Sequence, residues 1–150
     1  MTATGDVDYR PAPLPAVREL RHRLLRPHQP PHELVYDGDL DPEALHLGAF
    51  VGRRLVGIAS VAPDPTGPWD PRAWRLRGMA TDGEVRGRGV GGELLERCVA
   101  HALEGGAALV WCSARVPAER FYRRHGFEPV GEVFDVPPIG PHVRMVRRLR

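Results

Sequence analysis

Residues 84–105 read EVRGRGVGGELLERCVAHALEG: Gly87, Gly89, Gly91 and Gly92 stand close together, and an amphipathic stretch follows without a break. Glycine loses more backbone freedom on folding than any other residue, so a cluster of it in ordered structure needs a reason. A glycine-rich turn that enters a helix aims several backbone N–H groups one way, and the helix dipole adds about half a positive charge at the same end. Phosphate fits that description, and Arg86 and Arg88 place full charges beside it. A Walker A loop needs Gly-Lys-Ser/Thr, which this turn lacks. Gly87, Gly89 and Gly92 do satisfy G-x-G-x-x-G, but a dinucleotide site also needs an acidic residue about 20 positions on, at the end of the next strand. That strand, AALVWCSARV, carries none, and the motif lies past mid-chain, leaving too little sequence for a full nucleotide-binding half.

The elements that must position this turn follow from periodicity. Met1 to Pro13 is Pro-rich and polar and reads as a flexible arm, residues 1–13, ahead of a domain over 14–150. LPAVRELRHRLL sets Val17, Leu20, Leu24 and Leu25 at helical spacing, with Pro15 acceptable in the first turn. RPHQPPHELVYDGDLDPEA is broken by Pro and Asp-Gly and predicts a long loop with at most a short helix. LHLGAFV and RRLVGIASV form a hairpin about Gly52-Arg53, and AWRLRGMA is a further strand beyond the Pro-rich loop at 63–71. After the glycine turn a helix runs from about Gly89 to Glu104, its apolar face marked by Val90, Leu94, Leu95, Cys98, Val99 and Ala102, and Gly105-Gly106 stops it. AALVWCSA reads as a strand buried on both faces, PAERFYRRHG as a short helix, and FEPVGEVFDV and HVRMVRRLR as two more strands. The order predicts a mixed α/β domain around one sheet.

A third phosphate-binding pattern, R/Q-x-x-G-x-G/A, is met by Arg86, Gly89 and Gly91. It resembles the pyrophosphate turn of the GCN5-related N-acetyltransferase (GNAT) superfamily. LRGMATD before it is similar to that family's fourth strand, and LVWCSARVPAERFYRRHGF after it to the fifth strand and the helix with an A-x-x-F-Y-x-x-x-G-F ending. ELRHRLLRP and IGPHVRM look like a bacterial branch of small single-domain members. The resemblance covers about residues 14–150. It implies an α+β fold with a mixed, mostly antiparallel sheet flanked by helices and splayed between the fourth and fifth strands. It implies acetyl-CoA as co-substrate, with pantetheine lying in the splay. Backbone groups of Met79, Ala80 and Thr81 would lie along that arm, one N–H near Met79 or Ala80 stabilising an oxyanion. The amides of Arg86, Gly87, Arg88, Gly89, Val90, Gly91 and Gly92 would hold the diphosphate. Tyr122, in FYRRHGF, would protonate the departing thiolate, since a phenol of pKa about 10 keeps its proton at neutral pH. The alternative is that Tyr122 only packs, as Phe121 does, and that the domain is a non-catalytic acyl-CoA sensor or regulatory module.

The resemblance leaves the acceptor side open. Glu33, Asp37, Asp39 and His46 lie where the fold builds its acceptor site, and His142 enters from the last hairpin. Relatives often carry Asn where this chain has Ser113, which keeps a hydrogen-bonding group with a shorter reach. The acids of the 33–43 loop fit a cationic amine, a polyamine or aminoglycoside, and a peptide amine fits as well. Arg123 and Arg124 could reach the nucleotide end of the cofactor.

Composition narrows the classes. The 150 residues carry a net charge of +2, and all 21 basic residues are arginine, which a GC-rich genome explains. That charge is too small to argue for nucleic acid; Arg144, Arg147, Arg148 and Arg150 alternate with Val143, Met145, Val146 and Leu149 as on a half-buried strand. No apolar run reaches the roughly 18–20 residues of a membrane span, and no signal peptide is visible. Cys98 and Cys112 form no CxxC motif, so a reducing cytoplasm is expected, with both as core thiols. The spacing of His22, His28 and His32 resembles no zinc site, and no metal is expected. A homodimer is compatible with the resemblance.

Overall fold

The computed structural model describes residues 6–67 and 69–149. Its elements run β1 (Val7–Pro11), α1 (Leu14–Leu24), β2 (Leu45–Val51), β3 (Arg54–Pro63), β4 (Ala73–Thr81), α2 (Val90–Glu104), β5 (Leu109–Arg115), α3 (Glu119–Arg124), β6 (Glu128–Val136) and β7 (Gly140–Arg148), with short 3-10 turns at Pro31–Glu33, Gly83–Val85 and Val116–Ala118. The seven strands make one sheet in the order β1-β2-β3-β4-β5-β7-β6, antiparallel throughout except for the parallel β4–β5 pair at its centre.

Adjacent residues of a strand point to opposite faces, and β3 shows what covers each. A Cβ added at Gly57 would meet Leu94 of α2 at 3.1 Å. Its neighbour Ile58 is buried with Val17 and Leu20 of α1. The helices therefore sandwich the sheet. α2 buries the six apolar residues that its period marks, Val90, Leu94, Leu95, Cys98, Val99 and Ala102, and ends at Gly105, where any Cβ would strike Trp74 at 2.5 Å. Cys98 and Cys112 sit in this core, and burial pushes each thiol up to about 12, so both stay protonated and inert.

Two expectations are corrected. Residues 7–11 are an edge strand, not an arm: β1 pairs with β2 from Val7↔Val51 to Pro11↔Leu47. Val7 and Tyr9 pack on the core while Asp8 and Arg10 face out, a period of two too short to stand out between prolines. Residues 1–5 and Arg150 lie outside the described residues. The second correction concerns the face of α1. Leu24 and Leu25 are only half-buried, and the position that is fully buried beside Val17 and Leu20 is Arg21.

Arg21 fixes the loop after α1. Its guanidinium donates to Asp39 Oδ2 at 2.7 Å and Oδ1 at 3.0 Å, to the Leu34 carbonyl at 3.0 Å and to Ser60 Oγ at 3.1 Å, and it lies 3.9 Å over the Tyr36 ring. Burial works to raise the Asp39 carboxyl, but the Arg21 hydrogen bond, the Tyr36 amide and the Arg21 charge outweigh it and hold the carboxyl below its ordinary range. A depressed folded-state pKa contributes stability above the unfolded value of about 3.9, lost as pH falls through the folded value. Asp39→Ala leaves a buried guanidinium unpaired and lowers stability by about 3–5 kcal/mol at neutral pH in urea unfolding. The gap between wild type and variant narrows as the pH falls below about 4, because the unfolded wild-type chain then takes up a proton at Asp39 that the folded carboxylate still resists.

Candidate active site

β4 and β5 pair for only three residues each, Ala73↔Leu109, Trp74↔Val110 and Arg75↔Trp111. Beyond them β5 stays paired with β7 through Arg115↔His142, and β4 stays with β3 through Gly57↔Thr81. The sheet thus opens at its centre as expected. β4 also bulges: Gly78 and Met79 fall between the Ser60↔Arg77 and Ile58↔Ala80 pairs. Gly78 has φ +61, and a Cβ there would lie 3.1 Å from Arg21 Nε and 3.2 Å from the Tyr36 ring. A cleft of about 670 Å³ fills the opening; Leu76 to Thr81 of β4 line one side, and Cys112, Ser113, Arg115 and Tyr122 the other.

Thr81 and Arg86 continue this cleft into a second of about 660 Å³ at the glycine turn. Gly89, φ +76, precedes α2 and no side chain caps the helix, so its first-turn amides keep their binding capacity. Gly87 has φ +80, and a Cβ on either residue would meet nothing within 4 Å. These two serve backbone handedness beside open space, which fits a bound diphosphate. Gly91 and Gly92 differ: their added Cβ atoms would lie 3.6 Å from Phe121 and 3.0 Å from His125, so they let α2 pack on α3. Val90 is buried in the core. Arg88 is exposed but does not line either cleft. The acids near the turn are internally paired, Glu93 with Arg97 at 2.7 Å and Glu96 with His125 and Arg147 at 2.7 and 3.0 Å. Arg124 lines the turn's cleft, whereas Arg123 pairs with Glu119 at 2.9 Å.

α3 projects Tyr122 into the opening. Its hydroxyl lies 3.8 Å from Met79 Sδ on the opposite strand, and its ring meets Phe121 and Phe127 edge-on at 5.2 and 5.7 Å. Burial, with Cys112 adding to it, raises the phenol well above its ordinary value, so the group is a proton holder at neutral pH.

The acceptor-side candidates separate. His46 does not line the central cleft: Nδ1 meets Ser60 Oγ at 2.7 Å and Nε2 meets the Asp39 carbonyl at 2.8 Å, so both ring nitrogens are occupied. Asp39 is spent on Arg21, and Asp37 lies at a small separate hollow. Glu33, Ser113 and His142 do line the central cleft. Ser113 Oγ accepts from Arg75 at 3.3 Å. His142 is buried, donates from Nδ1 to the Gly140 carbonyl at 2.8 Å and stacks on Phe134, which leaves Nε2 as the lone-pair nitrogen of the neutral ring. The 63–71 loop lies against β5: Trp111 donates to the Asp64 carbonyl at 3.0 Å and meets the Trp69 ring in a tilted contact at 5.6 Å. Sequence reasoning missed Tyr36, Arg75 and Arg77, which also line the cleft. The signal was an Arg at every second position of a strand whose other face is core. Among the described residues no group of three or more His, Cys, Asp or Glu could hold a metal, and no helix is long and apolar enough to cross a membrane.

Known proteins agree with this geometry. The chain is 38% identical over 133 residues to YitI of Bacillus subtilis (strain 168), named as an uncharacterized N-acetyltransferase, covering 88% of this chain and 89% of the relative. The crystal structure of Escherichia coli ElaA shares the fold with a TM-score of 0.78 at 20% identity, over 95% of this chain and 100% of that one. An acyl-CoA N-acyltransferase from Pseudomonas aeruginosa does so with a TM-score of 0.69 at 23% identity, over 95% and 98%. The model of the acetyltransferase (GNAT) family matches residues 14–127. With its central splay, glycine turn and small seven-stranded domain, the chain belongs to the GNAT family and is an N-acetyltransferase, a family membership that implies use of acyl-CoA.

Proposed function

We propose that the chain transfers an acetyl group, or a close homologue, from acetyl-CoA to a primary amine by direct attack in a ternary complex, with Tyr122 as the proton donor. The observation that carries this reading is the Tyr122 hydroxyl reaching Met79 across the opening between β4 and β5, in a cleft continuous with the glycine turn. Acetyl-CoA, when bound, supplies the acetyl group as an activated thioester and departs as a thiolate that needs a proton. The amides from Arg86 to Gly92 and the Arg86 charge bind the diphosphate at the N-terminus of α2. The β4 edge from Met79 to Thr81, freed from β5, offers main-chain donors and acceptors to an amide-rich arm. Tyr122 Oη holds its proton until a basic sulfur lies beside it. His142 is the base we assign to the amine, supported by its place in the cleft lining and by Gly140 holding Nδ1–H, which leaves Nε2 to accept.

Tyr122→Phe keeps the ring packing and removes the proton. Thiol release in an amine screen falls by about 10²- to 10⁴-fold, while calorimetry finds acetyl-CoA affinity retained. Wild-type protein that binds acetyl-CoA yet turns over no amine is instead a sensor, and an undiminished variant removes Tyr122 from the chemistry.

Gly89→Val forces a β-branched residue into left-handed backbone at a cost of about 1–2 kcal/mol, which the fold survives. Acetyl-CoA affinity drops by roughly tenfold or more, as expected for losing one or two charge-assisted hydrogen bonds. Unchanged affinity by calorimetry would count against the turn as the diphosphate site.

A further inference from the structure

Trp74 and Leu76 of β4 are buried on the α2 side, so the residues between and beyond them, Arg75 and Arg77, emerge on the α1 side, and both line the central cleft. The Nε atoms of both are buried and have no hydrogen-bond partner. Among the described residues the Arg75 side chain makes one hydrogen bond, to Ser113 Oγ, and lies 4.3 Å over the Trp111 ring. Among the described residues Arg77 has no acceptor, and its guanidinium lies 5.6 Å from the Tyr36 ring. Arg21 and Arg147 differ in having carboxylate partners, Asp39 and Glu96, although the Nε of Arg21, like that of Arg18, is also buried without a partner. Arg75 instead faces like charge from Arg77 and Arg144, with Asp64 as the one opposing acid, and Asp64 already accepts from Thr66 at 2.6 Å.

Arg75 and Arg77 are partly buried, and a guanidinium with a buried, unpartnered Nε and no carboxylate beside it carries a cost that an arriving anion offsets. The cleft offers no internal anion for the role: Glu33, its one acidic lining residue, is exposed. The diphosphate of the cofactor is not the anion either. At about 3.3 Å per strand residue, Arg77 lies roughly 13 Å along β4 from Thr81, where the glycine-turn cleft begins. Arg75 is at the closed end, where β4 and β5 are still paired.

We propose that the acceptor amine also carries an oxyanion group, a carboxylate or a phosphate, which Arg75 and Arg77 bind so that the amine is presented near Met79 and Tyr122. The inference rests on the acyl-transfer reading above and replaces the expectation of a polycationic acceptor. Asp39, which supported that expectation, is neutralised by Arg21.

The test uses matched pairs at saturating acetyl-CoA, read by thiol release. β-Alanine is set against β-alaninamide, L-glutamate against its diamide, O-phosphoethanolamine against ethanolamine, with spermidine as the cationic comparison. The acid members are favoured in kcat/KM by about 10- to 100-fold, the worth of charge-assisted hydrogen bonds to one anion. The pair with the larger ratio says whether carboxylate or phosphate is preferred. Arg77→Gln brings that ratio towards one through KM. A preference for the amides, ethanolamine or spermidine, or a ratio unmoved by Arg77→Gln, overturns the proposal; if the variant does not fold, the wild-type ratios decide. If no amine is turned over, the acyl-transfer reading has failed, and binding still decides the anion site. The Nε–H resonances of Arg75 and Arg77 in the coenzyme A complex then shift with L-glutamate or O-phosphoethanolamine and not with their uncharged partners, and no shift overturns it.

Discussion

The site depends on a parallel pairing that stops. β4 and β5 are held together at one end by three residue pairs, where Trp74 and Val110 enter the core and Trp111 is capped by Trp69. Past that point each strand keeps the partner on its other edge, β3 for β4 and β7 for β5, and the two facing edges are left open. The aromatic side of α3 occupies the angle between them, with Tyr122 in edge contact with Phe121 and with Phe127 just beyond the helix. Main-chain groups in the middle of a sheet are normally paired, and those left open between two intact half-sheets are the feature a ligand backbone can satisfy. The N-terminus of α2 stands at the mouth of the same opening, so the fold delivers unpaired strand edge and uncapped helix end to one place.

A second device sets the charge of the other end. Arg21 reaches from α1 through the core to bind Asp39, Leu34 and Ser60, while the Asp39 carbonyl and Ser60 together hold His46. Buried ion pairs give little net stability, but losing one partner is costly, so the pair acts mainly to fix one arrangement of the loop. It has an electrostatic consequence. Asp39 is consumed internally, and among the described residues Arg77 has no carboxylate partner while Arg75 feels the charge of Asp64 alone among the acids.

The elements closest to the chemistry were the most legible in sequence, because they rest on local rules. The face of α2, the glycine stop at Gly105, the hairpin at Gly52 and the turn from Gly87 to Gly92 follow from spacing and backbone freedom alone. What was not legible rests on pairing between distant residues. His46 looks available until Ser60 and Asp39 are seen to take both its nitrogens. Asp39 looks like a substrate-binding acid until an arginine eighteen residues earlier is found against it. Arg21 carried a readable sign, since it falls at helical spacing from Val17 on the apolar face of α1. The strand β1 carried almost none, because five residues beside prolines satisfy no pattern until β2 is there to pair with them.

The four glycines of the turn also show that one motif can serve two ends of a site. Gly87 and Gly89 face open space and set the handedness of the backbone. Gly91 and Gly92 face α3, where Phe121 and His125 come within contact distance of where a Cβ would stand. His125 is held in turn by Glu96 of α2, and Arg147 of β7 bonds both that carboxylate and the His125 carbonyl. This cluster fixes α3, and α3 carries Tyr122. A larger residue at position 92 would therefore act first on the seating of α3 and only through it on the phenol, whereas one at position 89 would act on the turn itself. The glycine-turn backbone and the proton-holding ring thus share a support, and their separation is set by the packing of α2 on α3 rather than by a flexible loop.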